Sequence, residues 1–431
     1  MPEHKLTTGT YAALMLLSGV TVCPWQVYIA LADYFRGTYH SDVMEFTFPA
    51  LSTSVLTVTA AVMTCVGHRF SFTLRIFWPN VALVALSAGV PALDLLLSSG
   101  AISREHAFSA TMLVVSGNAL FSACMQNALF GLGSVMGDGA TTALMVGNGM
   151  VGVVSVVLRA ASKLGLAPRL SMWCFCALAS ATLVASLVGY QLAIVPALRQ
   201  IERRQASPVK PAGSAGSTAA ANGKGGGKGG GSGLDEALLP PEPSAAETAA
   251  GTAAAAGACC TPVWLESLCV FGVFVVCLSC FPGLATSLVS TSWRLGSWFP
   301  LTLVAAFNAG DLVGKGLPAH PRLARLVSRA TLPWCVLAHS GYVLLFLLLL
   351  RPEALPPPLR GDAAPLLVSL SFGVSTGFLG CVALNLAAAH PALVRQADKE
   401  RAGTVSSFCL MMGLSAGSVS GLAIRSLVVG P

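Results

Sequence analysis

Residues 298–320 read WFPLTLVAAFNAGDLVGKGLPAH. About 20 mainly apolar residues are enough for a helix to cross the hydrocarbon core of a membrane, so this stretch predicts a membrane-spanning helix. Its polar residues include Asn308, Asp311 and Lys315, and the acid and the base are one helical turn apart, on the same face. Each charge alone at the bilayer centre would cost about 2.5–3.5 kcal/mol. The stretch therefore predicts an apolar helix with one polar face.

The polar face has two interpretations, which are compatible. Ionisable residues inside a membrane usually line a solute pathway, and this makes Asn308, Asp311 and Lys315 candidate solute-binding residues, with Phe307 at their edge. Alternatively, the acid and the base form a structural ion pair that neutralises itself and fixes the packing of the helix.

Similar apolar runs occur along the rest of the chain. Apolar residues make up 54% of the 431 residues and charged residues 10%, whereas a soluble domain carries about 25% charged residues. The runs are continuous rather than alternating, which favours a helical bundle in lipid over a barrel. Hydropathy predicts eleven spans, at about 9–33, 45–66, 75–98, 107–133, 139–162, 170–197, 263–290, 297–317, 329–350, 364–390 and 402–428.

A long polar segment divides these spans into six and five. Residues 198–262 contain GKGGGKGGGSG and an Ala/Pro-rich stretch, a composition that cannot bury enough apolar surface to fold. We therefore predict an N-terminal six-helix bundle (1–197), a disordered cytoplasmic loop (198–262) and a C-terminal five-helix bundle (263–431). Lys and Arg are more frequent in the loops that lie on the same side of the membrane as the N-terminus, which predicts a cytoplasmic N-terminus. An odd number of spans then places the C-terminus outside.

Prolines interrupt the first and seventh spans at comparable places. Pro24 precedes Trp25, and Cys280-Phe281-Pro282-Gly283 lies in the seventh span. Breaks in corresponding helices of two halves point to a central binding site in transporters, although each proline alone is equally compatible with a packing kink. We assign solute binding to Trp25, and gating to Ile29, one turn further along, and to Phe281 and Pro282.

Neutral amides lie within the fourth and fifth spans. Gln126 and Asn148 each offer hydrogen-bond donors and acceptors, which suits a ligand such as a nucleobase. The alternative is that these amides join helices, since Asn148 lies between two glycines that permit close approach.

Signatures of other classes of protein are missing from the sequence. There is no Gly-rich loop that ends in Lys-Ser/Thr, no His pair with metal-ligand spacing and no intramembrane cluster of acids or histidines. The 13 cysteines lie mostly inside apolar runs, as small packing residues do. The charge of +7 is not clustered with aromatic residues. We expect no enzyme activity, no cofactor, no metal site and no nucleic-acid partner; the lipid bilayer and a small solute are the expected partners.

At these residues the chain resembles the equilibrative nucleoside transporter family. The resemblance rests on Pro24-Trp25, on ALFGLGSVMGDGATTALMVGNGMVGV (128–153), on CFPG (280–283), on FNAGDLVGK (307–315) and on ERAGTVSSFCLMMGLSAGSVSG (400–421). It implies eleven spans in a 6+5 pseudo-symmetric, major-facilitator-like pair of bundles. It also implies a facilitative, alternating-access transporter of nucleosides or nucleobases, with proton coupling left open.

Two residues depart from the family pattern. The family's usual base in span eight is Arg, and here it is Lys315, a point charge rather than a planar fork. A branch that carries organic cations also has Lys there, but it has an acid where Asn148 stands. We therefore rank nucleosides and nucleobases above monoamines. An organic-cation carrier of the same fold is the alternative, and a receptor or scaffold that transports nothing is the rival from another class.

The resemblance also implies a gate at the cytoplasmic side. Arg75 opens span three and Glu400 precedes span eleven, and in the family a base and an acid at these places close the inner mouth. An exposed pair of this kind would contribute only about 0–1 kcal/mol. The plasma membrane is the expected location. An acid-x-x-Leu-Leu pattern at Asp235, Leu238 and Leu239 leaves an endosomal or other internal membrane as the alternative.

Overall fold

The computed structural model describes residues 7–39, 44–137, 139–165, 167–206 and 262–428, and their regular structure is helical throughout. The helices are α1 (Thr8–Ala30), α2 (Ala32–Tyr39), α3 (Met44–Val66), α4 (Phe72–Ser87), α5 (Gly89–Ser98), α6 (Arg104–Met136), α7 (Ala140–Gly165), α8 (Pro168–Gly189), α9 (Val195–Ala206), α10 (Trp264–Cys280), α11 (Gly283–Thr286), α12 (Phe299–Gly316), α13 (Pro321–Ala324), α14 (Leu332–His339), α15 (Gly341–Leu349), α16 (Ala363–Ala388) and α17 (Gln396–Val428). A π-helical turn, Tyr190–Ile194, joins α8 to α9.

Ten helical segments of the described chain are long and apolar enough to cross a membrane. They coincide with ten of the expected spans, and the all-helical fold class is confirmed. The helix at the eighth expected span, α12, is not among the ten, because its amide and its two charges lower the hydropathy of an 18-residue helix. The count of eleven spans and its division into six and five stay predictions.

The helices pack in two groups that meet along two seams. In the N-terminal group, α1 packs on α7 and α8, while α6 packs on α3 and α4. In the C-terminal group, α10 packs on α17 and α12 on α16. Contacts between the groups join α17 to α3 and α6, and α7 to α12. The predicted residues Asn308 and Lys315 lie at the seam between α7 and α12.

The approach of α12 to α16 depends on glycine. A Cβ at Gly314 would overlap the backbone of Val374 on α16, and a Cβ at Gly377 would overlap the backbone of Asp311 on α12. Small residues let membrane helices approach closely enough for backbone contact. Helix α12 is thereby packed closely against α16.

The division between α6 and α7 lies where it is expected. Gly137 and Gly139 take positive φ angles of 89° and 83°, a conformation that costs L-residues with a side chain but not glycine. Two such residues end α6 at Met136 and allow α7 to begin at Ala140.

The two proline sites differ, which corrects the expectation of matching breaks. Helix α1 continues through Pro24, where only one backbone hydrogen bond is lost, whereas α10 ends at Cys280 and Pro282 precedes the short α11. The helix that contains the end of the sixth span, α9, continues beyond the expected boundary at 197 to Ala206, and the apolar segment itself ends at Gln200. Most of the predicted loop, 207–261, including Asp235, Leu238 and Leu239, lies outside the described residues.

A buried carboxylate fixes the start of α16. Asp362 accepts hydrogen bonds from the backbone N–H groups of Thr291 (2.6 Å) and Trp293 (2.7 Å) and from the Ser290 hydroxyl (2.7 Å). Burial by itself raises the pKa of this carboxyl, but the donors outweigh it, and the pKa lies well below its usual range. The 290–293 loop is therefore tied to the end of the bundle opposite Glu400.

Candidate functional site

The predicted acid and base of α12 form a buried ion pair. Lys315 Nζ lies 2.5 Å from Asp311 Oδ2, and the two side chains are 9% and 10% exposed. Taking two charges out of water costs several kcal/mol per ion unless they pair closely. The close pairing explains how α12 carries both charges in an apolar environment, and it leaves the pair with no net charge.

Helix α7 lies directly against this polar face. A Cβ at Gly149 would lie 3.3 Å from Lys315 Cδ, and a Cβ at Gly152 would lie 2.5 Å from Asn308 Oδ1. Helix α7 also contacts α1, because the Ser18 hydroxyl on α1 donates a 2.9 Å hydrogen bond to Asn148 Oδ1 on α7. The structure therefore brings α1, α7 and α12 together around Asn148, Asn308 and the ion pair.

Two amides among the predicted residues lie in mostly buried residues and make no hydrogen bond within the described chain. Gln126 is 5% exposed and Asn308 is 8% exposed, and within the described chain neither side-chain amide makes a hydrogen bond. Both amides therefore keep free hydrogen-bond donors and acceptors.

Trp25 and Ile29 are less well connected to this group. Trp25 lies half-buried on α1 beside the proline, and the contacts of the described residues join it to no other predicted site residue by a hydrogen bond or a ring stack. Ile29 is in α1, but its side chain lies outside the described part of the chain. Their predicted roles stay untested.

An aromatic stack lies where α10 ends. The rings of Phe281 and Phe307 are 4.0 Å apart and nearly parallel, at 17°. Phe307 in turn lies 5.4 Å from Phe372 on α16. Because Phe307 is one turn before Asp311, this stack connects the break at Pro282 with the ion pair.

Arg75 and Glu400 meet, although 325 residues separate them. Arg75 Nη2 lies 2.5 Å from Glu400 Oε1, with side-chain exposures of 3% and 19%. The guanidinium also lies over the Phe72 ring, 4.6 Å from its centroid. The expectation of an exposed pair is therefore wrong, because Phe72 and the turn at Gly67 cover the arginine.

Further polar contacts in the same region were not anticipated from the sequence. Asn127 Nδ2 donates to Thr64 Oγ1 and to the backbone oxygen of Thr404, both at 3.1 Å. The available signal was the spacing of Thr404, Ser407 and Ser415, which places these three residues on one face of a helix. That spacing alone does not identify the helix that this face contacts.

The cavity that the structure shows lies away from the predicted site. A cavity of about 250 Å³ lies near Asp362 at the opposite end of the C-terminal group, and no predicted site residue lines it. The described residues contain no group of three or more His, Cys, Asp or Glu side chains that would hold a metal ion.

Comparisons with known proteins bear on the fold and on the family. A bacterial homologue of the iron transporter ferroportin, solved in an outward-facing state, has a TM-score of 0.60 at 14% identity, covering 99% of this chain and 94% of that chain, which supports the fold alone. Mouse equilibrative nucleoside transporter 2 is 25% identical over 448 residues, 95% of each protein. Human equilibrative nucleoside transporter 4 is 32% identical over 168 residues, but the match spans only 38% of this chain and 29% of that protein. A family model described as "Nucleoside transporter" matches residues 111–426. Because that match covers more than half of the chain, this multi-pass membrane protein belongs to the nucleoside transporter family.

Proposed function

We propose that this protein is a facilitative transporter of nucleosides and nucleobases that works by alternating access. The observation that carries the proposal is the polar face of α12, where a buried ion pair faces the glycines of α7 beside Asn308. A charged and polar helix face inside the membrane has its most common use in lining a solute pathway.

The site favours a neutral solute. Asp311 is already paired with Lys315, so a cation entering the site would have to separate the pair and leave the lysine without its partner. Asn148 adds no charge, and the unpaired amides of Gln126 and Asn308 offer both donors and acceptors, which match the edge of a nucleobase. Trp25 would stack on or wall the base, and the ion pair would engage the ribose.

Two sets of contacts would control access. The Arg75–Glu400 pair links the N-terminal and C-terminal groups at one end of the bundle, and we assign this end to the cytoplasm. Phe281 and Pro282, at the end of α10, would control the other entrance together with Ile29. The two groups would move relative to each other around the α12 site, as in other transporters built from two bundles.

Uptake into liposomes containing the purified full-length protein tests the proposal. The panel is labelled adenosine, uridine, hypoxanthine and a monoamine, each at two pH values, with Asp311→Asn as the matched inactive variant. We expect uptake of a nucleoside or a nucleobase that stops when inside and outside concentrations are equal, at either pH. Accumulation that follows a pH gradient would instead establish proton coupling. Uptake of the monoamine alone, or of nothing, would refute the proposed substrate class.

We further propose that the protein resides in the plasma membrane, with its N-terminus in the cytoplasm and its C-terminus outside. The distribution of Lys and Arg between the loops supports the orientation, and the plasma membrane is the default location for such a transporter. Antibody access to tags at the two termini of intact cells tests this arrangement, and staining of the N-terminal tag without permeabilisation would overturn it.

A further inference from the structure

Helix α17 presents one continuous face to the N-terminal group. Near its start Glu400 pairs with Arg75, and one turn later the Thr404 backbone oxygen accepts from Asn127. Further along, the Met411 backbone oxygen and the Ser415 hydroxyl contact Thr57 on α3. We call this set of contacts between α17 and helices α3, α4 and α6 the inner seam.

Ser407 lies in the middle of that face. It is three residues after Thr404 and four before Met411, spacings that place all three on the same side of a helix. Neighbouring Ser406 points to the other side, since its hydroxyl lies 3.2 Å from that of Ser267 on α10, inside the C-terminal group. Ser407 therefore faces the inner seam, and Ser406 does not.

The Ser407 hydroxyl is buried without a partner. Its residue is 0% exposed, and among the described residues no hydrogen bond is made by its Oγ. Asn127 Oδ1, in the same seam, is likewise buried and unpaired. A buried hydroxyl without a hydrogen bond costs free energy, and this cost disappears if water reaches the group. The closed seam thus contains polar groups that would be hydrogen-bonded by water if the seam opened.

We propose that Ser407 is a gating residue whose unpaired hydroxyl destabilises the closed inner seam and keeps it able to open. This rests on the alternating-access function proposed above. In the closed state the hydroxyl has no partner, whereas in the open state water hydrates it. Ser407 belongs to the inner seam and is not among the residues assigned to substrate binding, so it acts on the balance between the two states and not on substrate recognition.

Ser407→Ala is the diagnostic substitution. It removes the hydroxyl, breaks no hydrogen bond with a described neighbour and changes the side-chain volume little. We expect the ratio of closed to open inner seam to rise about 5-fold to 150-fold, the range that corresponds to about 1–3 kcal/mol for an unsatisfied buried group. Net turnover falls accordingly, while the apparent affinity for substrate added from the opposite side stays the same or rises.

Hydrogen–deuterium exchange of the purified full-length protein in lipid nanodiscs measures this ratio without a substrate. Peptides from the inner ends of α3 and α17 should exchange more slowly in Ser407→Ala than in the wild type. Ser406→Ala is the matched control, because it removes a neighbouring hydroxyl that is bonded within the C-terminal group, and it should leave the ratio unchanged. Ser407→Cys, with a weaker donor of similar size, should give a smaller shift in the same direction and replaces the alanine variant if that variant does not fold.

The outcomes separate this inference from the proposed function. Unchanged or faster exchange in Ser407→Ala would overturn the gating role, since the hydroxyl would then be neutral or would hold the seam closed through water. An equal shift in Ser406→Ala would also overturn it. Failure of the wild type to transport any member of the substrate panel would refute the transport function instead, whatever the exchange data show.

Discussion

Reversing the charge of either Arg75 or Glu400 should favour the open inner seam and impair the transport cycle. The pair is 2.5 Å apart and Arg75 is only 3% exposed, so solvent screens the interaction little. Breaking a buried pair by removing one partner costs about 3–5 kcal/mol. Because Glu400 is 19% exposed and keeps some water, we place Arg75→Glu and Glu400→Arg near the lower end, about 3 kcal/mol, a factor of about 150 in population.

The double swap should restore only part of this stability. It re-forms an ion pair across the seam, but the site around residue 75 is built for a cation, since the guanidinium lies over the Phe72 ring. A cation–π contact contributes about 0.5–2 kcal/mol, and a carboxylate in its place would face the negative side of the ring. We therefore expect the double variant to remain about 1–2 kcal/mol short of the wild type, a factor of about 5–30.

Initial rates of uptake into liposomes, at matched protein content, test this prediction. Each single reversal should lower the rate strongly, and the double swap should exceed both singles. Exposed Arg69 provides a control: Arg69→Glu makes the same change of charge near the same end and should alter the rate little. If the double swap is no better than the worse single variant, the two residues do not act as a gate pair.

Three further predictions concern the site, the loop and the opposite end of the bundle. Asp311→Asn and Lys315→Ala should abolish most uptake, because each leaves a buried group without its partner, while Lys315→Arg should retain a good part; near-normal uptake by the alanine variant at equal surface expression would refute a role for the pair. Deletion of residues 212–255 should leave substrate affinity nearly unchanged, since a Gly/Ala-rich segment supplies no rigid ligand groups, and a large change in KM would contradict this. Asp362→Asn should lower the free energy of unfolding by about 1.5–3 kcal/mol through lost charge-assisted hydrogen bonds. Because the folded-state pKa of Asp362 is depressed, its stabilisation is fully present above its unfolded pKa of about 3.9 and declines only below it; the difference in Tm between the variant and the wild type should therefore be equal at pH 5 and pH 8.

Most of the fold class follows from local composition. Runs of about 20 apolar residues have few alternatives to a helix in lipid, because every backbone polar group must be paired within the segment. The turn between α6 and α7 was also predictable, since glycines such as Gly137 and Gly139 tolerate positive φ. Whether a proline ends its helix was not predictable from the sequence. Helix α1 continues past Pro24 while α10 stops before Pro282, and the packing of neighbouring helices decides between these outcomes.

The candidate site was likewise predictable from the sequence only in part. The sequence by itself determined that Asp311 and Lys315 share one face of a helix, because a helical turn relates residues four apart wherever the helix lies. The family resemblance implied that Arg75 and Glu400 act together, but only the tertiary structure brought the two side chains into contact and showed that the pair is covered. Only the tertiary structure showed that the Ser407 hydroxyl is buried in the seam without a hydrogen bond among the described residues. The physical reason is that burial and hydrogen-bond satisfaction belong to the contact between helices distant in the chain, and helical periodicity specifies which residues share a face but not what that face touches.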